Sequence, residues 1–322
     1  MPRQLIILAV LAATLGWSAG EVHAADPKPP PGQDPGGHAV ALIAGGIDYR
    51  DPALAARLAR DGEGELIGWD VIDDDRMPFA AATGEGADAA STDNSTLIAQ
   101  TLLSGYARGR LVPVRAPRGN PQALAKAIAF AVNTPARIIA VALPLETDAM
   151  RQVIRQASER FKEHVFIVAG ALPAASEAGA QSGMQGMPPA AQGMPPAAAA
   201  PPASRQTPAA SPAASLMNLG NVLVVMAAVD VEGKSANDVI AATEVVVMPR
   251  GSAMFGLSGG APRNAAEAVA LAAANAACQS HGGEPAMGSA AKALALDASK
   301  PLEDNRAIRV LDPMCWYGGK RM

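Results

Sequence analysis

The chain has 322 residues, a formal net charge of −4 at pH 7 and 49% hydrophobic residues. This length is enough for one large domain with a substantial core. The slightly acidic balance gives no electrostatic reason to expect binding to nucleic acid or to an anionic membrane, so we expect neither partner.

The first 24 residues have the pattern of a secretory signal peptide. Arg3 supplies a positive start, residues 5–15 are apolar, and the closing Val-His-Ala triplet suits a signal peptidase. The apolar run is too short to span a bilayer comfortably, and we find no later stretch that would. We therefore expect cleavage after residue 24 and export to the periplasm or medium. Residues 25–38 follow as a leader rich in proline and glycine, which predicts a flexible tether.

The domain predicted over residues 39–322 begins with a strand, a glycine turn and a helix. Residues 39–43 are all apolar, which is typical of a buried strand in a parallel sheet. Asp51 and Pro52 then form an N-cap and a first helical residue, predicting a helix over residues 53–60. Such βα units place their sites at the carboxyl ends of the strands.

Later segments repeat this alternation, which predicts an α/β domain. The predicted strands are at 111–115, 137–143, 165–170, 221–230 and 244–251. The predicted helices are at 92–103, 122–132, 148–161 and 264–278, with Asn120 and Thr147 as the N-caps of the second and third.

Residues 173–215 interrupt the domain with proline, alanine, glycine and methionine, including a tandem QGMPPAA repeat. This composition predicts a disordered insert with polyproline character, acting as an inert arm or as a ligand for a partner. Its thioethers also allow copper(I) binding as a minor alternative. The methionines concerned are Met184, Met187 and Met194.

The first βα unit resembles the opening catalytic motif of the subtilisin-like serine proteases. The matching residues are Gly46, Ile47, Asp48, Pro52 and Leu54. The resemblance implies a three-layer fold, with a mostly parallel sheet and helices on both faces. In the same register, Ala44 takes the position of the catalytic aspartate.

The other functional positions implied by the resemblance are also substituted. Asn94 takes the position of the catalytic histidine, and Ala171 that of the oxyanion asparagine. Ala261 takes the position of the nucleophilic serine, or a gap removes that serine. The strand that lines the substrate cleft in the family corresponds to Ala142, Leu143 and Pro144.

These substitutions predict an exported pseudoprotease that binds a protein or peptide partner or acts as a scaffold. The alternative is an active serine endopeptidase with a misaligned or non-standard triad, which would need a histidine at the carboxyl ends of the strands. His38 and His164 both precede strands, which predicts that they lie at the opposite edge. His281 is expected in a glycine-rich turn after the last helix.

Two further features concern cysteines and metals. In an oxidising compartment Cys278 and Cys315 are expected to form a disulfide. The run Asp73, Asp74 and Asp75 predicts a solvated acidic turn, with a structural calcium site as the alternative. No metalloprotease helix, P-loop or full dinucleotide fingerprint is present, so no other cofactor is expected.

Overall fold

Strands and helices alternate along the chain. The computed structural model describes residues 26–80, 93–106, 108–170, 214–227, 245–247, 265–279, 288–289, 292, 299–301 and 309–311. The strands are β1 (His38–Ala44), β2 (Trp69–Asp70), β3 (Gly109–Arg115), β4 (Ile138–Val141), β5 (Val165–Ala169), β6 (Val222–Ala227), β7 (Val245–Val247), β8 (Ser299–Pro301) and β9 (Arg309–Leu311). The helices are α1 (Pro52–Ala55), α2 (Asp93–Gly105), α3 (Pro121–Ala131), α4 (Asp148–Arg160), α5 (Ala214–Met217) and α6 (Ala265–Gln279).

Within these residues, nine strands form one sheet in the order β2-β3-β1-β4-β5-β6-β7-β9-β8. Neighbouring strands are parallel, except that β8 is antiparallel to β9. β1 lies between β3 and β4, with His38 paired to Gly109 at its start and Ala44 paired to Arg115 at its end. Ala44 therefore lies at the carboxyl edge of the sheet, as the sequence predicts.

The sheet is covered on both faces. Val40 and Leu42 of β1 pack in one apolar cluster with α2 and α6, whereas Ala41 and Ile43 pack in a second with α3 and α4. Burial on both faces explains why this strand is apolar at successive positions instead of alternating with polar residues. The α/β class, the mostly parallel sheet and the helices on both faces are confirmed.

Three helices begin at the N-caps that the sequence predicts. In each, a side-chain oxygen accepts a hydrogen bond from a backbone N–H of the first turn, which would otherwise lack a partner. The pairs are Asp51 with Ala53, Asn120 with Ala123 and Thr147 with Met150.

The first helix is shorter than predicted. The sequence predicts a helix over residues 53–60, but α1 ends at Ala55. The chain then runs alongside β3, where Ala59 N donates to Leu111 O at 2.8 Å. The expectation was wrong because pairing beside the edge of the sheet competes with local helix propensity.

The leader lies against the domain. Residues 26–37 have no regular secondary structure apart from a bend at Gly37, just before β1. Arg60 Nη2 donates to Pro30 O at 2.6 Å, and Arg110 Nη1 lies 2.5 Å from Asp34 Oδ2. The segment predicted to be flexible thus has specific contacts along the β3 side of the sheet.

Several predictions fall on residues outside the described ranges. These include the signal peptide over residues 1–24 and most of the insert, residues 173–213. The predicted insert ends slightly too late, because α5 begins at Ala214. No helix in the described part of the chain is long and apolar enough to cross a membrane.

Candidate functional site

The candidate site is at the carboxyl end of β1. The strand ends at Ala44, whose side chain is 3% exposed and packs in the α2 and α6 cluster. The chain then turns at Gly46, which has a φ of +101°. A Cβ at Gly46 would lie 2.9 Å from Arg115 Cδ, so both the backbone conformation and the available space favour glycine here.

The start of α2 is bound directly to this turn. Gly45 N donates to Ser95 Oγ at 3.0 Å, and Asp48 N donates to Thr96 Oγ1 at 2.9 Å. Ser95 and Thr96 are both buried. These bonds bring the backbone of Asn94, which the motif resemblance assigns to the histidine position, close to the end of β1. The side chain of Asn94 is outside the described part of the structure.

Two other strands end at the same edge. Ala142, just after β4, donates its backbone N–H to Ile43 O at 3.0 Å. Ala142 and Leu143 are buried and Pro144 is half-buried, so the predicted cleft strand lies next to β1. β5 ends one residue before Gly170, whose N–H donates to Val225 O at 2.8 Å. Ala171 and Ala261 are outside the described residues.

An ion-pair network occupies the β3 side of this edge. Arg115 Nη1 lies 2.7 Å from Asp70 Oδ2 and 3.0 Å from Asp73 Oδ2. Asp26, in the leader, lies 3.8 Å from the same nitrogen. The side chain of Asp70 is 0% exposed and also accepts a hydrogen bond from Ile72 N at 2.7 Å. One guanidinium is therefore shared by three carboxylates.

The surroundings of Asp26 in this network shift the pKa of its carboxyl group. Burial raises the pKa of the Asp26 carboxyl, and the Arg115 charge opposes this effect. The neighbouring charges of Asp73 and Asp70 raise it further. Burial would lower the pKa of Arg115, but the hydrogen bond and charge of Asp70 raise it above its usual value. Arg115 therefore stays protonated and holds the network together.

The predicted calcium ligands do not act as one group. Asp73 joins two other carboxylates whose oxygens lie within 4.8 Å of one another, but neither Asp74 nor Asp75 belongs to this group. Asp75 instead accepts a hydrogen bond from Met77 N at 2.7 Å. Arg115 already supplies the cation among the converging carboxylates, so these residues do not fit a calcium site formed by the three consecutive aspartates.

Both histidines in the described residues lie at the opposite edge of the sheet. His38 is the first residue of β1, and its ring centroid is 6.3 Å from that of Tyr106. His164 precedes β5 and is 4% exposed. This placement confirms the prediction for these two residues. His281 is outside the described part of the chain.

His164 is expected to make stability depend on pH. Burial, followed by the charge of Arg137, lowers the pKa of its imidazole below the ordinary value of 6.5. The unfolded chain therefore takes up the proton first, so stability is complete above about pH 6.5 and falls as the pH drops through the folded pKa. Urea unfolding of the parent and His164→Gln at pH 7.5 and 5.5 should show the smaller acid loss in the variant. Equal losses would contradict this account.

Sequence reasoning missed two buried charges near these elements. Asp70 was not recognised as a buried ion-pair partner, although it follows an aromatic residue and precedes an apolar one. Glu267, in the first turn of α6, is 5% exposed. Its only sequence signal is a single acidic residue in an alanine-rich helix.

No protein-family model matches this sequence, and no curated protein matches it. Solved structures do show a likeness. A cold-adapted subtilisin-like serine proteinase has a TM-score of 0.48 at 13% identity, covering 91% of this chain and 96% of that chain. The epidermin leader peptide processing serine protease from Staphylococcus aureus has a TM-score of 0.45 at 12% identity, with coverages of 88% and 75%. A lanthipeptide protease has a TM-score of 0.43 at 15% identity, covering 84% of each chain.

Proposed function

We propose that this chain is an exported, subtilisin-like pseudoprotease that binds a protein or peptide partner. The observation that supports it most is the buried methyl group of Ala44 at the carboxyl end of β1, beside the start of α2. The motif resemblance assigns a catalytic carboxylate to this position. An alanine there can neither orient a histidine nor stabilise its protonated form.

The position of the histidines supports the same proposal. A serine nucleophile needs a base within hydrogen-bond reach. His38 is six residues before Ala44 on the same strand, which corresponds to a separation of about 20 Å. His164 also lies at the amino edge, at the start of β5. Neither can serve a nucleophile at the carboxyl edge.

Loss of catalysis does not prevent peptide recognition. An extended peptide can pair with an exposed segment through backbone hydrogen bonds, without any catalytic group. The segment Ala142 to Pro144 ends beside β1, but Pro144 has no backbone N–H to donate. We therefore expect weaker backbone pairing than in a protease cleft, with more of the binding energy coming from side-chain contacts.

We also propose that Cys278 forms a disulfide with Cys315. Cys278 is near the end of α6 and packs partly buried against the α2 and α6 cluster, and Cys315 is outside the described residues. Such a crosslink would attach the C-terminal segment to α6 and contribute roughly 3–4 kcal/mol in the chain-entropy model. The insert over residues 173–213 is a second candidate for the partner-binding element.

Purified protein is expected to cleave neither casein nor a mixed peptide library, and to remain unlabelled by a fluorophosphonate probe. Removing a complete triad typically reduces turnover on the order of 10⁶-fold, which leaves nothing measurable above background. An active subtilisin assayed alongside at equal concentration provides the positive control.

Specific labelling of one serine together with cleavage of casein would overturn the proposal. That result would instead favour the active serine endopeptidase. Labelling that survives heat denaturation would indicate reaction with an accessible nucleophile unrelated to a folded site, so a denatured sample belongs in the same experiment.

A further inference from the structure

A cavity of about 160 Å³ lies at the amino edge of the sheet, on the side opposite the candidate site. Its walls include Ala39 at the start of β1, together with Arg110 of β3 and Arg137 just before β4. His38 and Pro135 complete part of its rim. None of these residues belongs to the candidate site described above.

The strand register explains why the cavity exists. Ala39 pairs with Arg110, and Val40 pairs with Ile138, so Arg137 lies abreast of Ala39 on the other side. Adjacent strands are about 4.8 Å apart, so the two arginine Cα atoms are about 10 Å apart. Ala39 packs on the α3 and α4 face of the sheet. A small residue between two long ones therefore leaves a slot with an arginine on each side.

The two arginines differ in how their side chains are engaged. Arg110 Nη1 pairs with Asp34, but its buried Nε has no acceptor among the described residues. A buried donor without a partner is costly and uncommon in folded proteins. Arg137 Nη1 lies 3.5 Å from Glu163 Oε2, in a pair whose glutamate side chain is 62% exposed. The same nitrogen also lies 3.4 Å from His164 Nε2. Because the exposed pair with Glu163 contributes little, an anion of higher charge can compete with that carboxylate for Arg137.

The negative charge nearest to Arg110 is already engaged. Asp34 accepts hydrogen bonds from Arg60 N and Gly36 N as well as from Arg110. Burial would raise the pKa of the Asp34 carboxyl, but these hydrogen bonds together lower it. The slot is thus lined by two arginines, of which Arg110 is closely paired with Asp34 and Arg137 is paired with the exposed Glu163.

We propose that this slot binds a phosphate-type dianion, either as free phosphate or as the phosphate group of a small molecule. Guanidinium groups recognise phosphate oxygens through paired, charge-assisted hydrogen bonds. The cavity volume equals that of roughly five water molecules in the liquid, which suits a small oxyanion. An anion here would bridge β3 to β4 across β1.

The test measures the effect of phosphate on thermal unfolding. Purified protein is melted in potassium phosphate, in acetate and in chloride, all at pH 7.5 and equal ionic strength. Phosphate at about 100 times its Kd should raise Tm by roughly 5 °C, and the other two salts should not. The Kd itself is measured by calorimetric titration with inorganic phosphate.

Two variants and one control identify the site. Arg137→Gln should weaken phosphate binding roughly 10–100-fold, as expected for losing a hydrogen bond to a charged group. Ala39→Leu should weaken it similarly while retaining both arginines, because the larger side chain fills the slot. Arg118→Gln removes an exposed arginine at the other edge and should leave the Kd unchanged. The same measurements with a small phosphate monoester distinguish free phosphate from a phosphorylated metabolite as the tighter ligand.

Absence of a phosphate-specific shift in the parent would overturn the proposal. Binding of acetate as tight as that of phosphate would overturn the assignment to a dianion. An unchanged Kd in both Arg137→Gln and Ala39→Leu, each confirmed as folded by its own melt, would place any observed binding elsewhere. These outcomes are independent of the peptidase and labelling assays, because the slot and the candidate site lie at opposite edges of the sheet.

Discussion

Ala44→Asp is expected to lower the free energy of unfolding by about 1–3 kcal/mol, because it places a carboxylate in a site that excludes water. The Ala44 side chain is 3% exposed. It is paired in register with Arg115, the only nearby cation identified in the described network. That guanidinium is already shared by three aspartates, so a fourth carboxylate would add repulsion at this edge.

A matched substitution separates this effect from a general effect of adding an aspartate. Ala129 is on the exposed face of α3, and Ala129→Asp should cost only about 0.5 kcal/mol through helix propensity. Denaturant unfolding of both variants and the parent measures the difference. If Ala44→Asp unfolds at the same denaturant concentration as the parent, the position is solvated and the register proposed for the first motif is wrong.

Restoring the triad by substitution is not expected to restore activity. Combining Ala44→Asp with Asn94→His and Ala261→Ser would still leave Ala171 at the position that the motif resemblance assigns to the oxyanion asparagine. Loss of that one donor typically reduces turnover by a factor on the order of 10²–10³. The three aspartates that already share Arg115 would repel an ionised aspartate at position 44 and further disfavour it.

The fold was predictable where local signals and burial agreed. Residues 39–43 are apolar at every position, and the central position of β1 in the sheet buries both of its faces. The caps at Asn120 and Thr147 were visible as single residues, because capping depends on neighbours within one helical turn. α1 was overestimated because pairing with Leu111, more than fifty residues away, decides where it ends.

The charged groups were harder to predict because their environments depend on distant segments. Asp70 and Arg115 are 45 residues apart in sequence, yet they form a 2.7 Å ion pair. Nothing in the run of aspartates after Asp70 distinguishes a buried carboxylate from an exposed one. The slot beside Ala39 depends in the same way on the register of three strands. Both features follow from topology, which residue spacing alone does not specify.

Breaking the Arg115–Asp70 pair is expected to have the largest effect on stability. Asp70 is 0% exposed, and Arg115→Met would remove the guanidinium that lies 2.7 Å from its carboxylate. Removing one partner of a buried pair typically costs about 3–5 kcal/mol, because the remaining charge is buried and uncompensated. The free energy of unfolding measured in urea at pH 7 should fall by that amount.

The double variant Arg115→Met with Asp70→Asn tests whether the unpaired charge causes the loss. The asparagine side chain retains an oxygen that can accept from Ile72 N, as Asp70 does at 2.7 Å. Because the uncompensated charge is gone, the double variant should be more stable than Arg115→Met alone, even though it carries one more substitution. A double variant less stable than Arg115→Met would show instead that the loss comes from arginine packing. The ion-pair network would then be a consequence of the fold at this edge and not a determinant of its stability.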